Sequence, residues 1–327
     1  MSRLNTPFTR AVGIEVPIIC GAMYPCSNLE LVAAVSEAGG IGIIQPVSMI
    51  FVHKVELRKG IRFMRRITDK PLGFNAIVEK SEFLQKQMAK WVDIALEEGI
   101  RFFVTALGNP RWVVDKVHAV NGVVYHDVTE RKWAQKALEA GVDGLICVNN
   151  RAGGHAGTLS PQQLMESLHD LKVPLISAGG IGSEQDFIER LDQGFAGGQL
   201  GTRFIATTEC TAHADYKQAI LDAREEDIVF TEKISGVPVA IIKTPFIEKI
   251  GTKAGPLAKR LLQHPTLKYY MRGYYSLLSL WQLKKATLHG LNYNDYFQAG
   301  KSVAGIHRIE SAGTIVRRFA EAARISG

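Results

Sequence analysis

Two kinds of residue in this chain have the type and setting for chemistry. The first is His155, inside Ala152-Gly153-Gly154-His155-Ala156-Gly157. Small neighbours leave the imidazole as the only functional group projecting there. Its ordinary pKa, near 6.5, suits proton exchange or hydrogen bonding around neutral pH. The second is a pair of glycine-rich turns, Ser177-Ala178-Gly179-Gly180-Ile181 and Gly201-Thr202. Bare amides in such turns, with a helix starting behind them, are suited to gripping a phosphoryl group. Around these lie Gly21-Ala22-Met23, small enough to let a flat ligand approach the backbone, and the polar residues Asn75, His126, Asp127 and Arg151.

Other chemistries find no support. The histidines and acids show neither H-x-x-x-H nor H-E-x-x-H spacing, so no metal set is expected. No G-x-S-x-G elbow and no Walker sequence occurs, which removes the usual hydrolase and nucleotide-triphosphatase signatures. Cys20, Cys26, Cys147 and Cys210 form no C-x-x-C pair and read as reduced thiols of a cytoplasmic protein. The first ten residues are polar, and no apolar run is long enough to span a bilayer, so no membrane partner is expected.

The elements that must position these residues follow a β-α rhythm. Eight short apolar runs read as strands: 17–20, 41–44, 71–75, 102–105, 123–126, 144–148, 174–177 and 198–200. Helical spacing fills 29–37, 52–67, 83–98, 111–120, 131–139, 161–171 and 184–191. Gly39, Gly99, Gly141 and Gly194 are placed as helix stops, and Asn28, Ser81, Ser160 and Ser183 as N-caps. Strands apolar throughout are buried on both faces, as in parallel sheets. Eight β-α units in about 200 residues favour a closed (β/α)8 TIM barrel over an open doubly wound sheet. All the candidate residues then fall at or just beyond strand C-termini, where such barrels carry their sites.

The last third breaks the rhythm. Residues 210–304 read as a helical cap inserted before the last barrel helix, expected over 309–325. The barrel itself would comprise 1–209 and 305–327. The net charge of +7 comes from 39 basic and 32 acidic residues. Eight of the basic ones, and no acid, lie between Lys249 and Gly290, interleaved with Tyr269, Tyr270, Tyr274, Tyr275 and Trp281. Nucleic-acid binding is the sharper interpretation of that stretch. A cap whose aromatics pack on the barrel and whose lysines are solvated is preferred, and its charge could concentrate an anionic substrate.

The motifs Ile19-Cys20-Gly21-Ala22-Met23, Gly73-Phe74-Asn75, Ala152 to Gly157, Ser177 to Ile181 and Gly201-Thr202-Arg203-Phe204 resemble those of the nitronate monooxygenase (2-nitropropane dioxygenase) family. The resemblance covers roughly residues 10–210, and Gly300 with Ser311-Ala312-Gly313 is similar to the family's C-terminal return. It implies a TIM barrel with non-covalently bound FMN, turning alkyl nitronates and O2 into carbonyl compounds and nitrite. Gly21, Ala22, Met23, Asn75, Asp127, Ala152 and Gly153 would surround the flavin. Ala178, Gly179, Gly180, Gly201 and Thr202 would hold its phosphate, and His155 would act as base or orient the substrate. His126, Arg151 and Ser311 are further substrate candidates. The same motifs are found in FMN-dependent enoyl-acyl-carrier-protein reductases and NAD(P)H:quinone reductases, so NAD(P)H is a second possible partner; oligomerisation is left open. Two departures stand out. Asp127 occupies a position where the family commonly has lysine, and Asn149-Asn150-Arg151 replaces its usual glycine and glutamate. An inward Asp127 would repel an anionic substrate, with Arg151 as the expected compensation.

Overall fold

Uniformly apolar runs become the buried staves of a closed barrel in a computed structural model that describes residues 2–78, 81–233, 237–253, 283–288 and 296–325. The staves are β1 (Ile18–Cys20), β2 (Ile41–Ile44), β3 (Gly73–Val78), β4 (Phe102–Leu107), β5 (Val123–Val128), β6 (Gly144–Val148), β7 (Leu175–Ala178) and β8 (Gly197–Leu200). Each pairs in parallel with the next, and β8 closes on β1 through Ile18↔Gly198, Ile19↔Gln199 and Cys20↔Leu200.

The helices are α1 (Pro7–Val12), α2 (Leu29–Glu37), α3 (Leu57–Met64), α4 (Glu82–Glu97), α5 (Arg111–His118), α6 (Arg131–Glu139), α7 (Pro161–Leu168), α8 (Glu184–Asp192), α9 (Thr202–Ile205), α10 (Ala214–Asp222), α11 (Pro245–Ile250) and α12 (Ala312–Ile325). All four expected helix stops take the left-handed conformation, with φ between 80° at Gly99 and 98° at Gly194. Ser160 and Ser183 form capping boxes with Gln163 and Asp186. Asn28 and Ser81 make no cap bond; the Asn28 amide instead donates to Glu30 and to the Glu209 carbonyl.

Strand alternation sorts the apolar side chains into two layers. Ile19, Ile41, Ile43, Phe102, Val104, Tyr125, Ile146, Ile176 and Ala178 fill the barrel interior. Phe74, Phe103, Val124, Val128, Leu145, Cys147 and Leu175 face the surrounding helices. Phe8 of α1 closes the floor, its ring 5.6 Å from Phe102 and 5.5 Å from Tyr125.

Three differences from the sequence reading bear on the site. First, β3, β4 and β5 run further than expected, so Asp127 lies within a strand rather than after one. Second, of the segment expected as a helix over 52–67 only Leu57–Met64 forms α3, and a π-helical turn at Ser48–Val52 precedes it. Third, the insert is not purely helical: β9 (Ile228–Thr231) and β10 (Val239–Ile242) form an antiparallel pair. The described part of the insert shares its hydrophobic layer with β1 and α12. Tyr216 stacks on Phe297 with centroids 4.6 Å apart. Most of the basic stretch 249–290 lies outside the described residues.

Candidate functional site

Ile77 and Ala106 end the inward rows of β3 and β4, and seven further inward positions near the strand C-termini line the barrel mouth. Continuing the alternation from the interior residues, these positions are Gly21, Gln45, Asn75, Asp127, Val148, Ala178 and Gln199. Four of the seven carry polar side chains above an interior that is otherwise apolar. Gly21 leaves room for its neighbour, since a Cβ there would stand 3.0 Å from Gln199 Cγ. Gln45 and Asn75 are buried, and the Gln45 side-chain Oε1 accepts from the Ser48 amide at 2.5 Å. Gln199 Oε1 and Asp127 Oδ1 are buried without a hydrogen-bond partner. Buried polar atoms are normally satisfied, so these two are placed for something that fills the mouth.

Asp127 and its neighbour His126 part company here. His126 shares a face with Val124 and Val128, in the layer against the helices. Its Nδ1 is 2.8 Å from Thr105 Oγ1, and burial lowers its pKa to about 4. It is a neutral wall residue and does not join the mouth. Asp127, one position on, faces inward. Burial pushes its pKa up to about 7, with no charged group offsetting the loss of water.

The two glycine turns adjoin each other at the ends of β7 and β8. Gly179 and Gly180 have φ of 115° and 74°. A Cβ on Gly179 would strike Asn149 Oδ1 and the Ala152 amide nitrogen at 2.5 Å. Asn149 is fully buried and knits the turn, donating to the Gly179 carbonyl at 3.1 Å and accepting from the Arg151 amide at 2.8 Å. The amides of Gly179, Gly180 and Gly201 donate to no other described residue. Met23 borders this corner, its sulfur 3.5 Å from where a Gly201 Cβ would be. Ala22 packs against the interior layer. The Thr202 hydroxyl accepts from the Gly300 amide at 3.0 Å and fastens the returning chain.

The His155 loop is held from both sides. The Gly154 carbonyl accepts from the Ala240 amide of β10 at 2.8 Å, and the Arg151 carbonyl from the Lys301 amide at 2.9 Å. Gly153 abuts Ala299 and Gly300 so closely that a Cβ would lie 2.9 Å from the Gly300 nitrogen. Ala152 is buried behind it. His155 reaches solvent, and partial removal of water around the ring lowers its pKa. A predominantly neutral imidazole at pH 7 can accept a proton.

Two candidates have other partners, although the Arg151 side chain lies against the turn after β7, its Nε 2.5 Å from where a Gly180 Cβ would be. Arg151 forms a two-pronged ion pair with Glu225 at 2.9 and 2.6 Å, so its charge is already matched and does not compensate Asp127. The Ser311 hydroxyl accepts from the Thr314 amide at 3.1 Å and serves the start of α12. Residues missed in the sequence are Gln45, Asn149 and Gln199. The one signal for Gln199 was a lone polar residue inside the run Gly197-Gly198-Gln199-Leu200.

This mouth suits a flat, polar-edged ligand with an anionic tail. Unbonded amides gather at one corner, small residues line the adjoining wall, and unpaired polar atoms stand at the rim. Among the described residues no cluster of metal-ligating side chains occurs, and no helix is long and apolar enough to cross a membrane.

The chain is similar to several known proteins. The model of the family described as nitronate monooxygenase matches residues 5–321. A Mycobacterium tuberculosis protein named (3aS,4S,5R,7aS)-5-hydroxy-7a-methyl-1-oxo-octahydro-1H-indene-4-carboxyl-CoA dehydrogenase is 29% identical over 265 residues, 79% of this chain and 72% of that protein. A probable nitronate monooxygenase of Staphylococcus saprophyticus is 27% identical over 291 residues, 76% of this chain and 81% of that one. The structure of FabK from Thermotoga maritima superposes with a TM-score of 0.80 at 27% identity, covering 98% of this chain and 97% of that one.

Proposed function

The chain belongs to the nitronate monooxygenase family, an oxidoreductase family, and from that premise we propose that it is an FMN-dependent oxidoreductase of acyl thioesters, whose reacting carbonyl group is uncharged. The observation that carries the choice of substrate is Asp127. Where a nitronate-oxidising relative would be expected to offer lysine, this mouth offers a half-buried carboxyl whose Oδ1 is enclosed, and Arg151 is engaged by Glu225. An anionic nitronate would find no cation here, whether the carboxyl is protonated or ionised; a thioester carbonyl, carrying no charge, needs none. The M. tuberculosis relative, named as a carboxyl-CoA dehydrogenase, supports the same reading.

The bound flavin would supply the two-electron chemistry, with NAD(P)H as the soluble electron carrier. Gly179, Gly180, Gly201 and the start of α9 would hold its phosphate through backbone amides. Gly21, Ala22 and Met23 would form the wall beside the ring system, with Asn75, Gln199 and Asp127 meeting its polar edge. His155, neutral and next to the insert, would exchange the proton that accompanies electron transfer at the substrate carbon. The insert would exclude water above it.

Nitronate oxidation by O2 is the second reading, favoured by the family match and by the Staphylococcus relatives. Anaerobic mixing separates the two. Bleaching of the flavin absorbance by NAD(P)H, reversed by an enoyl-CoA, is the expected result. Bleaching by an alkyl nitronate alone, with no response to either NAD(P)H or thioester, would overturn the thioester assignment.

A further inference from the structure

Asp127 is unusual among the described acidic residues in facing the barrel interior. Directly beneath it on the same face of β5 is Tyr125, packed among aromatic rings. Its Oδ1 is buried and unbonded, while most other carboxyls have partners at the surface. The charged and titratable groups around it are few. On β5, His126 turns to the outer wall and is neutral. On β6, Cys147 is buried with its thiol proton retained. In the following loop Arg151 is bound to Glu225, and His155 is biased toward its neutral form. No cation among these stabilises a carboxylate, whereas a neutral carboxylic acid has a proton to donate.

We propose that Asp127 works as a neutral carboxylic acid, donating a hydrogen bond from β5 to the polar edge of the bound flavin. The proposal rests on the assignment of a flavin to this mouth but not on the identity of the substrate. Its logic is that an apolar surround can keep a carboxyl protonated near neutrality so that it serves as a donor. Where a lysine would donate and bring a charge, Asp127 donates and brings none. The consequence is proton linkage: losing the proton removes the donor and sets a carboxylate against the flavin's carbonyl oxygens. Covering the mouth also strips more water from Asp127, which favours its protonated form further.

The test is the affinity of the protein for FMN, followed by flavin fluorescence between pH 5.5 and 9 with no substrate present. Wild type is expected to bind tightly below neutrality and to lose up to about tenfold affinity per pH unit once Asp127 titrates. Asp127→Asn, which keeps an N–H donor and cannot titrate, is expected to bind with a flat pH profile. Infrared spectra of the wild-type holoenzyme at pH 7 should show a protonated-carboxyl C=O stretch that Asp127→Asn lacks. Equal pH slopes in the two proteins, or no such stretch, would overturn the assignment. Failure of wild type to bind FMN at any pH would remove both this proposal and the flavin assignment. Failure of thioesters in the anaerobic assay alone would leave this one standing.

Discussion

At the scale of single residues, burial rather than contact sets the chemistry. Asp127 carries a pKa near 7 against an ordinary 3.8 because water is withheld, not because a partner acts on it. Between those two values the folded chain keeps a proton that the unfolded chain releases. Stability therefore falls as pH rises across that window and levels off above it. In flavin-free protein, Asp127→Asn should be close to wild type at pH 4 and more stable by roughly 2–4 kcal/mol at pH 8. Urea unfolding at the two pH values checks this; a difference that does not grow with pH would show that the carboxyl finds water. Arg151 shows the opposite case. Its pairing with Glu225 is part-exposed, so Arg151→Ala should cost less than about 1 kcal/mol. The saturation constant for substrate should stay unchanged, and a severalfold rise would return Arg151 to the substrate site.

At the scale of elements, the turns after β6 and β7 interlock as one unit. Gly179 combines a φ of 115° with a would-be Cβ contact of 2.5 Å to the Asn149 side chain and the Ala152 backbone. Gly179→Ala should cost roughly 2–3 kcal/mol from strain and overpacking. It should also weaken FMN binding by at least about tenfold, because the amides it displaces are those proposed to hold the phosphate; calorimetric FMN titration measures this, and unchanged affinity would place the phosphate elsewhere. Much of this architecture was legible in the sequence. Buried parallel strands are apolar throughout, and glycine marks four of the helix stops, so the barrel and both glycine turns could be drawn from local pattern. What was not legible depended on partners distant in the chain. Nothing near Arg151 announces Glu225, 74 residues on. The inward aim of Asp127 and outward aim of His126 depend on β5 continuing two residues beyond its apolar run. The pair β9 and β10 had a signal in Ile228–Thr231 and Val239–Ile242, β-branched runs flanking a turn, but the surrounding helical composition masked it.

At the scale of the whole molecule, the barrel is closed late in the chain by a buried charge. Arg203 sits just after β8 and is 1% exposed. Its guanidinium donates to the Arg308 carbonyl at 3.2 Å and pairs with Glu310 at 3.0 Å. Glu310 is also held by Arg318 of α12 at 2.8 Å, and Arg318 pairs in turn with Glu184 of α8. This network joins the strand that seals the barrel, the helix before it and the helix that ends the fold. Burial lowers the Arg203 pKa to about 10, so it remains charged at neutral pH and needs its counter-charge. Glu310→Gln leaves that charge under-compensated inside the protein and should cost about 3–5 kcal/mol. Replacing both, as Arg203→Met with Glu310→Leu, removes the need for compensation and should recover a large part of the loss. The comparison is urea unfolding of wild type and the two variants at pH 7. If Glu310→Gln unfolds within about 1 kcal/mol of wild type, Arg318 and Arg308 do not depend on Glu310 to hold α12 against β8, and closure rests on the apolar layer of Phe187, Phe204 and Phe319 alone.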